Sequence, residues 1–207
     1  MKGSQRASGF TMIEAMVTLA VFAVIAALTV PSMTTWIRNN KVRTVTDSLQ
    51  TGLRLAQAES LRRSRQVVFS LTNSTTPNFI PLPAVVNGTS WAIWTLPSIA
   101  GETPTFIQSG LLSNASANVA VNSNGVSTVC FNSMGRLVAN ASATVILITG
   151  GDTCVQPTAP PTPPVQKFNI TAPGADRPLQ VNLALGGQVH MCDPNVAISD
   201  AHPEGCP

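Results

Sequence analysis

The chain has 207 residues, 44 % of them apolar, with charged side chains at only 10 % of positions and a formal net charge of +3. High apolar content with little net charge excludes a disordered chain. The length leaves room for a membrane helix plus one domain of ordinary size. The bases are unevenly placed: Arg38, Lys41, Arg43, Arg54, Arg62, Arg63 and Arg65 fall within 38–65, against Asp47 and Glu59. Beyond residue 65 only Arg136, Lys167 and Arg177 remain against six acids, so no broad basic face for nucleic acid is evident.

In chain order, a basic head (Lys2, Arg6) precedes Gly9-Phe10 and an apolar run to Val30, interrupted by Glu14. As a helix, Phe10 to Val30 spans about 31 Å, close to the thickness of a bilayer's hydrocarbon core, which predicts a membrane span over 10–30. An acid within such a span costs on the order of 3 kcal/mol. Glu14 either reaches the headgroups at one end or meets a positive partner. A cleaved signal peptide has a shorter apolar core and no acid within it. Bases flank the run on both sides, so charge alone does not orient it.

Pro31 removes one backbone donor and predicts a bend. Beyond it, Val42, Val45, Leu49, Leu53, Ala56 and Ser60 recur at helical spacing, while Arg43, Asp47, Gln50, Arg54 and Gln57 fall on another face. Arg43/Asp47 and Glu59/Arg63 are i,i+4 pairs worth tenths of a kcal/mol. The spacing predicts one helix from Thr11 to Arg63, roughly 80 Å long, apolar all round first and amphipathic over 31–65. Trp36 suits either a headgroup anchor or a packing residue between helices.

Residues 66–207 read as a β-rich head. Period-2 alternation predicts strands at Gln66–Thr72 (Val67, Phe69 and Leu71 on one face) and Ser90–Leu96. Shorter candidates are Asn118–Val121, Thr128–Phe131, Thr144–Ile148 and Gln166–Ile170. Leu179–Leu185 puts Leu179, Val181, Leu183 and Leu185 on one face. Gly186-Gly187 then turns into Gln188–Cys192. The Pro-rich stretch 157–164 (PTAPPTPP) reads as a stiff polyproline II loop.

Gly9-Phe10-Thr11-Met12-Ile13-Glu14 resembles the class III leader of type IV pilins and type II secretion pseudopilins. The resemblance implies a leader peptide of 1–9 cut by a prepilin peptidase between Gly9 and Phe10, N-methylation of Phe10, and pairing of Glu14 with a neighbour's N-terminal amine in a fibre. It also implies a single-pass inner-membrane precursor with its head in the periplasm. Downstream, LRLAQAESLRRSRQVVF (Leu53–Phe69), VCFNSMGRLV (Val129–Val138) and a final hairpin ending in MCDP (Met191–Pro194) resemble the GspH/FimT branch of minor pilins and minor pseudopilins. That implies an α+β, pilin-like fold: a long N-terminal helix packed on antiparallel strands.

The functional expectation is a minor pilin of a type IV pilus, with a type II secretion minor pseudopilin as the alternative. The Pro-rich insert and the cysteine-bounded tail favour the pilus. A third reading is a DNA-binding minor pilin, because some FimT-like proteins take up DNA through a Gly-Arg-x-Arg motif in the last hairpin. Here the matching residues are Gly187-Gln188-Val189-His190, and both arginines are missing. Phosphate binding needs fixed positive charge, which a neutral amide and a largely neutral imidazole do not supply.

Four cysteines allow three pairings. Local pairing, Cys130–Cys154 and Cys192–Cys206, is expected, each bond worth about 3 kcal/mol in the chain-entropy view and suited to an oxidising compartment. The second pair bounds a tail over 192–206. His190, Cys192, His202 and Cys206 also form a possible zinc inventory, which the oxidising compartment disfavours. No metal or cofactor is expected. No nucleophile elbow, P-loop or HExxH motif occurs, so the chain is not read as an enzyme.

Overall fold

The computed structural model describes residues 10–78, 82–97, 102–112, 118–139, 148–149, 154 and 165–207, without the side chains of 28, 30–32, 148 and 149. The predicted Pro-rich loop at 157–164 and most of the predicted strand at 144–148 lie outside the described residues, as does Gly9. The chain forms two compact units, Met1–Ile37 and Arg38–Pro207. One helix, α1 (Met12–Arg63), contributes to both and runs through position 31 without interruption.

Within the second unit, α1 buries the predicted stripe. Val42, Val45, Leu49, Leu53, Ala56 and Ser60 are all at most 1 % exposed. Its end is a Schellman turn: Ser64 N–H donates to Leu61 O and Arg65 N–H to Ser60 O, both at 3.2 Å. Ser64 holds the left-handed position at φ 51°, where glycine is usual. Glu59 binds Arg62 and Arg63 at 2.7 Å each, tying down the last turn.

Two antiparallel-rich sheets cover the stripe. The first contains β1 (Val67–Thr72), β3 (Ser90–Thr95), β4 (Thr105–Leu111) and β6 (Thr128–Phe131), in the order β4-β3-β1-β6. The second contains β5 (Ala120–Asn122), β8 (Val165–Thr171), β9 (Leu179–Ala184), β10 (Val189–Ala197) and β11 (Gly205–Cys206), in the order β11-β10-β9-β8-β5. The remaining short pair, β2 (Leu82–Pro83) and β7 (Ile148–Thr149), is parallel.

Alternation sorts the side chains as the sequence indicates. Val67, Phe69, Leu71, Trp91 and Ile93 join the helix stripe in one cluster with Phe168, Ile170, Val181 and Leu183. Leu179 and Leu185 pack against its margin. The intervening residues Val68, Ala92, Trp94 and Leu96 face the other way into a second cluster with Leu82, Cys130 and Cys154. Strands β1 and β3 are therefore buried on both faces, which explains their nearly continuous apolar runs.

Several boundaries differ from the sequence reading. Asn118 adopts φ 85° and belongs to a turn, so the predicted strand 118–121 becomes β5 at 120–122. Strand β10 runs on to Ala197, and β11 pairs with it in parallel through the closing tail. The face with Gln57 and Arg54, off the apolar stripe, also makes contacts with the head. Gln57 Nε2 donates to Gly135 O at 3.1 Å and Arg54 Nη2 to Val189 O at 3.3 Å. Strand β4, absent from the prediction, has no clean alternation because a register shift opposite Ile93/Trp94 separates its two apolar neighbours. Phe106 joins the second cluster while Ile107 packs on the first.

The chain crosses from one sheet to the other between β5 and β6, and polar groups lock that crossing. Ser123 N–H donates to Asn87 Oδ1 at 2.8 Å, Asn87 N–H donates to Ser123 Oγ at 3.3 Å, and Gln166 Nε2 donates to Ser123 O at 3.0 Å. Ser123 is fully buried, so each of these bonds replaces water that the site excludes.

Candidate functional site

The N-terminal site begins at Thr11. Its hydroxyl accepts the Glu14 N–H at 3.4 Å and its carbonyl accepts the Ala15 N–H at 3.2 Å, making it the helix cap. Thr11-x-x-Glu14 thus has the spacing of a capping box, a signal the family motif overshadows. The cap places Glu14 in the first helical turn, where the helix dipole favours a carboxylate. Phe10, 77 % exposed, lies one residue ahead of the cap.

Around this acid the first unit exposes nearly everything apolar that it has. Met12, Ile13, Met16, Leu19, Phe22 and Val24 are each more than 60 % exposed. Burying each such side chain is worth roughly 1.5–3 kcal/mol, so this surface requires an apolar surround that a single chain does not supply. Among the described residues no cation pairs with the Glu14 carboxylate. Among them, too, no helical stretch is both long and apolar enough to cross a membrane. The continuous run of described side chains ends at Ala27, short of the 10–30 span expected from the sequence.

The final hairpin is the second predicted site. Ala184 O accepts the Gly187 N–H at 2.8 Å, and Ala184 N–H donates to Gln188 O at 3.0 Å, closing a three-residue turn. Gly187 sits at φ 88°, and any side chain there would strike Gly135 O and the Gln57 amide. This glycine lets the hairpin tip rest on α1. Val189 turns inward, while Gln188 and His190 are exposed. His190 pairs with Asn182 across β9–β10, and Asn182 with Lys167 across β8–β9. The outer row at this point therefore carries one fixed positive charge.

Cys130 is bonded to Cys154 and Cys192 to Cys206, with no free cysteine among the described residues. The first bond lies within the second apolar cluster, and the second closes the tail. With Cys192 and Cys206 consumed as a disulfide, the proposed zinc inventory loses both thiolates. No group of three or more His, Cys, Asp or Glu residues among those described is placed to hold a metal.

A capped, acid-bearing apolar helix that continues into an antiparallel head defines a pilin-like subunit. Residues 45–187 match the family described as Type II transport protein GspH, and residues 4–30 match the prokaryotic N-terminal methylation motif. The chain belongs to the GspH family, whose members are minor pilins and minor pseudopilins, structural subunits of fibres anchored through the membrane. Among solved structures, the type IV minor pilin FimU of Pseudomonas aeruginosa is similar at 14 % identity and a TM-score of 0.49, over 75 % of this chain and 93 % of that one. Escherichia coli GspH is similar at 8 % identity and a TM-score of 0.42, over 76 % and 91 %. No curated protein matches.

Proposed function

We propose that the chain is a minor pilin of a type IV pilus, made as a single-pass inner-membrane precursor with its head in the periplasm. A prepilin peptidase cuts between Gly9 and Phe10 and the new N-terminus is methylated. Glu14 then docks the helix into the fibre by pairing with the N-terminal amine of a neighbouring pilin. One observation carries this reading. Glu14 stands in the first turn of a helix whose apolar side chains are exposed all round, with no cation beside it among the described residues. An acid in an apolar surround costs on the order of 3 kcal/mol, a cost that a positive partner from another chain offsets. The two disulfides suit a head folded in an oxidising compartment.

A second reading, a minor pseudopilin of a type II secretion system, is favoured by the description of the family that matches residues 45–187. DNA uptake is not favoured: Gln188 and His190 occupy the outward positions of the hairpin and supply no fixed charge.

The test is Glu14→Ala in cells lacking the native copy. Membrane insertion and leader cleavage are expected to be normal, with loss of incorporation into fibres. Normal incorporation would remove the pairing role. A mature N-terminus other than methylated Phe10, read by mass spectrometry, would remove the processing scheme. The defect of the null strain, in pili or in secretion of folded exoproteins, separates the two systems.

A further inference from the structure

Asn-Gly occurs twice in the chain, at Asn87-Gly88 and at Asn124-Gly125. Glycine has no Cβ, so its amide nitrogen is open to the carboxamide of the residue before it. That nitrogen can give up its proton to hydroxide, bond to the Asn Cγ and close a succinimide ring. The Cγ–Nδ2 bond breaks, and ammonia leaves with a proton from water. Water then opens the ring at either carbonyl, which leaves aspartate or isoaspartate. The two sites are alike in an unfolded chain, and the fold makes them different.

Asn87 is clamped. Its Oδ1 accepts the Ser123 N–H at 2.8 Å and the Ser123 hydroxyl at 3.2 Å, and Ser123 is fully buried. The Gly88 N–H is already engaged, donating to Val85 O at 3.2 Å. Gly88 is packed against β1, where a Cβ would stand 2.5 Å from Thr72 N and 2.8 Å from Thr72 O. Ring closure here must pull the carboxamide off Ser123 and free the glycine nitrogen against that wall.

Asn124-Gly125 is open. Val126 N–H donates to Ser123 O at 3.1 Å, and Asn124 and Gly125 hold φ 51° and 83°, the two positive values of a type I′ turn. Both residues are exposed, and a Cβ at Gly125 would have nothing within 4 Å. Among the described residues nothing accepts the Gly125 N–H. The Asn124 carboxamide makes one bond there, Nδ2 donating to Lys167 O at 3.1 Å.

We propose that Asn124 is a self-modification site of the folded subunit, converting to aspartate and isoaspartate while Asn87 persists. Asn87-Gly88 must break two bonds to Ser123 and one to Val85, whereas Asn124-Gly125 breaks only the bond to Lys167. A difference of two net hydrogen bonds separates the rates by about tenfold or more. The turn carries the chain from one sheet to the other, so the change acts on the crossing. Aspartate replaces the donor facing Lys167 O with an acceptor, which unties the turn from β8. Isoaspartate also adds a backbone carbon between the two turn residues and breaks the closure from Val126 to Ser123. This inference goes beyond the fibre reading and does not depend on it.

The test incubates the full, oxidised chain in detergent at mildly alkaline pH and follows both sites by peptide mapping with mass spectrometry. Aspartate and isoaspartate are expected to accumulate at 124 about tenfold or more faster than at 87. In urea, with the disulfides intact, the two sites should react at similar rates, because each is followed by glycine. Asn124→Gly keeps the turn, since glycine takes the positive φ, and should leave 87 as slow as before. Equal rates at 87 and 124 in the folded chain would overturn the proposal. So would a folded chain unreactive at 124 over a period in which the unfolded chain reacts. The isoaspartyl form, separated by ion exchange on its added negative charge, should unfold at a lower urea concentration than the unmodified chain. An unchanged midpoint would refute the loosening of the crossing.

Discussion

Gly52→Ala sets two effects of opposite sign against each other at the centre of the head. In a helix interior alanine is favoured over glycine by about 1 kcal/mol, so local propensity alone predicts stabilisation. The structure predicts the reverse. A Cβ at 52 would stand 2.9 Å from Trp91 Cε2 and 3.0 Å from Phe69 Cε2. Those rings stack at 5.8 Å and are buried, and the Trp91 indole also lies close against Gly110 on β4. A shift of either ring must displace packed neighbours. Overpacking of this kind costs typically 1–3 kcal/mol, and the pinned rings put this site in the upper part of that range. The net expectation is a loss of about 1–2 kcal/mol, or a drop of roughly 2–8 °C in Tm for a domain of this size. Urea and thermal unfolding of the oxidised protein measure it. Trp91→Leu in the same background relieves the overlap, so the double variant should be more stable than the sum of the two single losses by about 1 kcal/mol or more. A Gly52→Ala protein as stable as its parent, or strictly additive losses, would refute the steric account.

Ser64→Gly should stabilise by about 0.5–1 kcal/mol, seen as a higher urea midpoint, because glycine takes the left-handed cap without strain. The Glu59 carboxyl is held down from its ordinary 4.5 to about 2 by hydrogen bonds from Arg62, then Arg63. Its folded-state pKa is depressed, so its contribution is fully present above pH 4.5 and is lost as pH falls towards 2. With Arg62 exposed and Arg63 half-buried that contribution is on the order of 1 kcal/mol, and Glu59→Gln should flatten this part of the stability–pH curve. Under mild reductant, Cys192–Cys206 should open before Cys130–Cys154, since Cys206 is partly exposed at the tail while Cys130 and Cys154 are buried in the second cluster. Differential alkylation with peptide mapping reads the order, and the opposite order would contradict the packing.

The stripe from Val42 to Ser60, the alternation in β1, β3 and β9, and the Gly187 turn were legible in the sequence by itself. Each depends on a period or a glycine within a few residues, and local geometry enforces both. Glu14 was legible too, as an acid out of place in an apolar run. Only the tertiary structure decided what depends on distant partners. Strand β4 escaped because its bulge breaks the period and its packing is set by Trp91. Gly52 is needed only because two rings, from β1 and β3, fill the space beside it. Gln57 and Arg54 fall off the apolar stripe in the sequence, yet Gln57 holds the turn after β6 and Arg54 the last hairpin, through carbonyls that lie 78 and 135 residues further along the chain.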